Sequence, residues 1–162
     1  MLCIGDKIMD IDNIFSSLIK EIGYQNNKTV VINKVVMNSK EVEKNNLFVA
    51  IRGGNAYANE ALEKGAFVIY DDNTINLNSN PNSFLVDDSV KFMQKLAHQW
   101  RNTLNIKIIG ITGSNGKTTV KDMVFQLLST KYKGKKTEGN YNNHIGLPFT
   151  LLRSEKNDDF MV

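Results

Sequence analysis

Apolar positions along this chain follow two periods, and the switches between them predict its elements. Ile11, Ile14, Phe15, Leu18, Ile19 and Ile22 fall on one helical face, with Asp10 and Asp12 near its start and Gly23 after its end. Short apolar runs then predict strands over 29–36, 47–51, 66–70 and 84–86, with a short helix over 59–64 that stops at Gly65. The Asn/Ser/Pro stretch 73–83 reads as a surface loop. Asp88 or Ser89 caps a further helix whose Met93, Leu96, Ala97, Trp100 and Leu104 share a face, so Trp100 is expected in a core rather than against a ligand. A strand over 106–111 runs into a glycine-rich turn. The helix that follows carries Val120, Met123, Val124, Leu127 and Leu128 at i, i+3, i+4, i+7 and i+8. A strand over 135–138, a helix over 147–152 and a strand from Asp159 complete the pattern, which is that of an α/β chain.

Composition narrows the classes. The 162 residues are 41% hydrophobic with a net charge of +3, enough for one good domain or two small ones and without a dense basic block. Lys131, Lys133, Lys135 and Lys136 follow a helix end, where cations are favoured, and are expected to be a solvated surface rather than a nucleic-acid site. The single cysteine, Cys3, excludes an internal disulfide framework and fits a reducing compartment. No basic stretch leads into an apolar run at the N-terminus and no segment has the apolar length of a membrane span, so a cytoplasmic location is expected.

The chemistry concentrates at Gly113-Ser114-Asn115-Gly116-Lys117-Thr118-Thr119, between the strand over 106–111 and the apolar-faced helix. Glycines at 113 and 116 let the backbone curl and aim several N–H groups at one anion, and the helix N-terminus adds partial positive charge. Lys117 supplies a full charge for the β- and γ-phosphates of a nucleotide, and the Thr118 hydroxyl suits Mg²⁺. The bland alternative is a chance Gly-Lys-Thr in a surface turn. The loop also departs from the general phosphate-loop pattern, because Ile111 stands five residues before Gly116 where glycine is usual.

That departure is informative. The Gly110-Ile111-Thr112-Gly113-Ser114-Asn115-Gly116-Lys117-Thr118 run resembles the Mur ligases, ATP-dependent amide-bond-forming enzymes of peptidoglycan synthesis, whose cousins are the folylpolyglutamate synthases. Downstream, Gly139-Asn140-Tyr141-Asn142-Asn143-His144-Ile145-Gly146-Leu147-Pro148 resembles the branch of that family that adds D-alanyl-D-alanine to UDP-N-acetylmuramoyl-tripeptide. In the first half, Asn38-Ser39-Lys40 and Asn46-Leu47-Phe48-Val49-Ala50-Ile51-Arg52-Gly53 resemble the family's Asp-Ser-Arg and Asp-Leu-Phe-Val-Ala-Leu-x-Gly. Two departures stand out. Lysine replaces the planar arginine fork, and Gly54-Asn55-Ala56-Tyr57 stands where the family has Asp-Gly-His.

The resemblance implies a UDP-substrate domain over 1–87, with Ser39 and Lys40 among its substrate contacts. It further implies the start of a phosphate-loop, parallel-sheet ATPase domain over 88–162. There Gly113 to Thr119 would hold ATP, Thr118 would meet Mg²⁺, Lys117 would be catalytic, and Asn142 and Asn143 would contact substrate. The reaction implied joins D-alanyl-D-alanine to the UDP-linked muramoyl tripeptide through an acyl phosphate. A monomer without membrane insertion or nucleic-acid partner is expected. Because a phosphate-loop ATPase needs a parallel sheet covered on both faces, the second domain is expected to be incomplete. The resemblance also implies a third, C-terminal domain that binds the incoming amine; it is expected to be absent here and the segment inactive alone. Alternatives within the same chemistry are other Mur-type or folylpolyglutamate-type ligases. From other classes come a phosphate-loop switch or kinase and a catalytically silent binding module. His98 and His144 are expected to be incidental, since neither has a recognisable catalytic partner.

Overall fold

The computed structural model describes residues 10–25, 29–77, 79–138 and 143–162. Cys3, Asn78 and the motif residues Gly139, Asn140, Tyr141 and Asn142 lie outside them. The chain divides into two compact units, Met1–Phe92 and Met93–Val162. Both are α/β with parallel sheets, the coarse class that the apolar periods predict.

In the first unit, β1 (Lys34–Val36), β2 (Asn46–Val49), β3 (Phe67–Tyr70) and β4 (Ser83–Leu85) pair in parallel in that order. Every residue of β2 and β3 is buried, as expected of strands covered on both faces. Alternation along them divides the core in two. Phe48, Ala50, Val68 and Tyr70 join Ala58, Ala61 and Leu62 of α2 (Ala58–Glu63) in one cluster. On the other face, Phe15 of α1 (Ile11–Glu21) packs its ring against Phe67, Phe84 and Phe92 at 6.4, 5.4 and 6.0 Å. Burial of each such aromatic contributes about 1.5–3 kcal/mol. The predicted α1 face is correct except at its end, where Ile22 lies past the helix and is exposed. At the β4 edge the Tyr24 hydroxyl accepts from the Leu85 N–H at 2.7 Å and donates to its carbonyl at 3.4 Å.

Strand 29–36 is shorter than its apolar pattern. Val30 and Ile32 are buried, but the Ile32 N–H donates to the Asp12 carboxylate at 2.8 Å instead of to a neighbouring strand, and pairing begins only at Lys34. A side chain from α1 has taken a donor that a ladder would use.

α3 (Ser89–Thr103) begins in the first unit and continues into the second. Asp88 is its cap, its carboxylate accepting from the Lys91 N–H at 2.9 Å. In the second unit β5 (Lys107–Ile108), β6 (Gly134–Lys135) and β7 (Phe160–Met161) form a parallel sheet with β7 in the middle. α4 (Lys117–Ser129) connects β5 to β6, and α5 (Gly146–Leu152) precedes β7. Gly134 suits its place, because a Cβ there would stand 2.5 Å from the Phe160 carbonyl. Met93, Leu96, Ala97, Trp100, Ile145, Phe149, Leu152, Phe160 and Met161 are buried. Trp100 is core, as its spacing predicts, with its indole N–H donating to the Ser154 carbonyl at 3.1 Å.

α4 departs from expectation in orientation. None of its residues is buried, and Val120, Met123 and Leu127 of the predicted apolar face are 45%, 63% and 72% exposed. Val124 and Leu128 of that predicted face are half-buried, and beside them the side turned toward the sheet carries Lys121 and Phe125, with Phe125 5.9 Å from the Phe160 ring. The helical period is right, while the face in contact is rotated from the one the pattern favours.

Candidate functional site

The carboxyl end of β5 opens directly into residues 109–116, and Gly116 stands at the N-terminus of α4 with φ +75°. Gly113 has φ +149°. A side chain at either position would be strained, so the sequence needs glycine where the backbone turns into the helix. Ser114, Asn115, Thr118 and Thr119 are exposed around this turn, and Lys117 is half-buried. The Lys117 ammonium folds back over the loop, donating to the Gly113 carbonyl at 2.5 Å and the Ser114 carbonyl at 3.3 Å. A lysine, an exposed glycine-bent backbone and the N-terminus of a 13-residue helix are thus gathered at one strand end. That combination concentrates positive potential and suits a polyphosphate.

Acidic groups near this end are engaged elsewhere. The Asp122 carboxylate, one turn along α4, accepts from Lys136 at 2.7 Å. That hydrogen bond holds its carboxyl below the ordinary range, with the Lys121 charge adding to the effect. Glu138 pairs with Arg153 at 2.7 Å. Among the described residues, no cluster of three or more His, Cys, Asp or Glu side chains could hold a metal ion. Thr118 is left as the hydroxyl at the helix start, able to serve a cation that brings its remaining oxygens from phosphate and water.

The stem that leaves β6, residues 136–138, also sits at the carboxyl edge of this sheet. Thr137 bonds through its N–H to the Val162 carbonyl at 2.9 Å. At the far stem, the Asn143 carboxamide oxygen accepts from the N–H groups of Ile145 at 3.0 Å and Gly146 at 2.8 Å and so holds the entry into α5. Gln94 donates to the exposed His144 carbonyl at 2.8 Å, so this histidine is held by its backbone. Asn142 lies outside the described residues.

Ser39 and Lys40 belong to the first unit, in the single helical turn Ser39–Glu41 that follows β1. Asn38 caps this turn by accepting from the Lys40 N–H at 3.1 Å. The other strand ends of that sheet are stitched around Asp71, which carries no signal in the apolar pattern or in the motifs. Asn55 donates to the Asp71 carboxylate at 2.8 Å and accepts from the Asp71 N–H at 3.3 Å, while the Ser89 N–H donates to the same carboxylate at 3.1 Å. Arg52 and Gly53 have φ +49° and +85°, and the turn is closed by the Gly54 N–H on the Ile51 carbonyl. The Arg-Gly-Gly run was the available sign of this tight turn.

The lysine cluster is more engaged than a solvated helix end. Lys133 and Lys135 both reach Glu155, at 2.9 and 3.0 Å, and Lys136 reaches Asp122. A cavity of about 230 Å³ beside β6 is lined by Lys135, Lys136 and Arg153, but each of these cations already has a carboxylate partner. The cation of the glycine loop instead rests on backbone carbonyls.

Comparison with known proteins converges on one family. Residues 111–162 match the Mur ligase middle domain. The UDP-N-acetylmuramoyl-tripeptide–D-alanyl-D-alanine ligase of Bacillus subtilis is 40% identical over 137 residues, covering 82% of this chain and 30% of that protein. Among solved structures, the MurF ligase from Thermotoga maritima in complex with ADP superposes with a TM-score of 0.69 at 36% identity, covering 83% of this chain and 32% of that one. MurF from Acinetobacter baumannii reaches a TM-score of 0.76 at 22% identity over 93% of this chain and 34% of that one, a likeness of fold. The chain spans about a third of the length of the relatives it matches.

Proposed function

This chain belongs to the Mur ligase family, and from that premise we propose that it is part of an ATP-dependent ligase joining D-alanyl-D-alanine to UDP-N-acetylmuramoyl-tripeptide. The observation that carries the reading is the glycine loop from β5 to α4. From Ile111 onward it falls within the segment matching the Mur ligase middle domain, and it holds Lys117 over its own carbonyls. We assign Gly113, Ser114, Asn115, Gly116, Lys117, Thr118 and Thr119 to the triphosphate and Thr118 to Mg²⁺. Ser39, Lys40, Asn142 and Asn143 are proposed on the substrate side by resemblance. Asn143 already commits its carboxamide oxygen to α5, so a substrate contact there would use its amide N–H₂.

A carboxylate acylates poorly because its oxygen is a poor leaving group. In the proposed reaction the terminal carboxylate of the tripeptide attacks the γ-phosphorus of ATP, and ADP leaves. The dipeptide amine then attacks the acyl carbon, phosphate departs with the former carboxylate oxygen, and the amine gives up a proton. The protein's part is positioning and charge neutralisation. Lys117 offsets the charge that builds between β- and γ-phosphates, the loop N–H groups orient the phosphates, and Mg²⁺ when bound supplies further neutralisation.

The reading is tested in a ligase carrying this segment with the remaining length of its relatives. ADP and phosphate should be released only when both UDP-linked muramoyl tripeptide and D-alanyl-D-alanine are present. Efficient turnover of a folate with glutamate would assign it to the folylpolyglutamate type instead. Lys117→Ala should lower turnover at saturating ATP by at least about two orders of magnitude. Near-normal turnover would remove Lys117 from its assigned role.

A further inference from the structure

We propose that Lys121, backed by the Asp122–Lys136 pair, is a positioning residue that sets the register between the phosphate-loop helix and the stem leaving β6 at Lys136, Thr137 and Glu138. The proposal rests on the reading of residues 113–119 as a nucleotide site.

Lys117 and Lys121 are four residues apart on α4 and therefore share a face. Lys117 turns back to the glycine loop, whereas Lys121 reaches across to the Thr137 carbonyl at 2.7 Å. The Lys121 side chain is only 13% exposed, an unusual place for an ammonium unless the contact it makes is kept. A charge-assisted hydrogen bond to a carbonyl with little competing water is strong and directional. Thr137 is itself fixed to the end of β7, its N–H and hydroxyl both donating to the Val162 carbonyl, at 2.9 and 3.3 Å.

A second tie runs parallel to the first. Lys136, the residue before Thr137, donates to Asp122 at 2.7 Å and lies 5.1 Å over the Phe125 ring. The same carboxylate oxygen of Asp122 stands 3.7 Å from the Lys121 ammonium, so the two lysines share one acid. Adjacent residues of α4 thus grip adjacent residues of the loop stem. The next residue, Glu138, is tied to Arg153 at the end of α5.

The chemistry gives this grip a purpose. Lys117 and Thr118 are in the first turn of α4, where phosphate would pull, and Lys121 is in the next. An axial shift of the helix by a phosphate at its N-terminus would be carried by a short path to Thr137 and, through the adjoining Glu138 and its partner Arg153, to the end of α5. Reaction between a carboxylate and a γ-phosphate tolerates little error in the relative placement of the two partners, and a misplacement near 1 Å costs about a hundredfold in rate. Lys121 would therefore act on turnover more than on nucleotide affinity.

The test uses the 162-residue chain with MgADP, followed by amide NMR at Thr137, Ile145 and Gly146. MgADP should shift these amides in the unmodified protein. Lys121→Met should bind MgADP within about threefold of the original affinity yet lose at least about half of each shift, and Lys121→Arg should restore it. Asp122→Asn, at a half-exposed position, reads the same path if Lys121→Met fails to fold, and should lose about a quarter of the shift. In the complete ligase, Lys121→Met should lower kcat about tenfold with KM for ATP within about twofold. Full shifts in Lys121→Met, or MgADP binding to the unmodified chain without any shift at these amides, overturn the coupling and leave the nucleotide site standing. Loss of affinity and shifts together in a folded Lys121→Met also overturns it, since the residue would then serve the site itself. Failure of the unmodified chain to bind MgADP overturns the nucleotide reading and this proposal with it.

Discussion

Glu155 shows how strongly one side chain can be set by its neighbours. Hydrogen bonds from Lys133 and Lys135, in that order, and then their charges depress its carboxyl to about 2. Because the folded value lies below the ordinary carboxylate value, the pair stabilises the fold above pH 4.5 and loses that contribution as pH falls from there toward 2. The melting temperature should decline through that window, and Glu155→Gln should flatten the decline while leaving the pH 6–8 region level. An unchanged acid limb in the variant would show that the pairing is too solvated to matter. Lys117 and Gly116 were legible as residues, since few chemistries need glycine, lysine and hydroxyl in that order. Lys121 was not, because nothing in its neighbours along the chain announces that its ammonium will find Thr137, 16 residues away.

For α4, the hydrophobic period and the packing disagree, and the disagreement can be measured. Leu127 belongs to the strongest apolar stripe but is 72% exposed, so Leu127→Gln should change the unfolding free energy of this chain by less than about 0.5 kcal/mol. Phe125, off that stripe, packs on Phe160 beneath the Lys136 ammonium, and Phe125→Ala should cost about 1–2 kcal/mol, less than for a fully buried ring. Urea denaturation of both variants checks the pair, and a larger loss at Leu127 would mean that the stripe is covered. Strand extents differed from their patterns for a related reason. Apolar alternation says which residues can face a core, whereas a ladder also needs a partner for each N–H, and Asp12 takes the one at Ile32.

Across the molecule, burial is unequal. β2 and β3 are buried along their whole length with helices over both faces, while α4 has no buried residue. Backbone opening should follow that contrast, with amides of 47–49 and 67–70 exchanging at least about tenfold more slowly than those of 121–128. Equal protection in α4 and β3 by hydrogen exchange would contradict it. No helix among the described residues is long and apolar enough to cross a membrane. By itself the sequence determined the α/β class, the order of the elements and the glycine-rich turn between β5 and α4, because side-chain period and turn chemistry are local. Tertiary structure alone decided which face of α4 meets the sheet, that β7 lies between β5 and β6, and that Lys121 and Asp122 grip the stem at Lys136 and Thr137. Those facts depend on which distant groups arrive at one place, and periodicity records only which side of an element is apolar, not the neighbour that covers it.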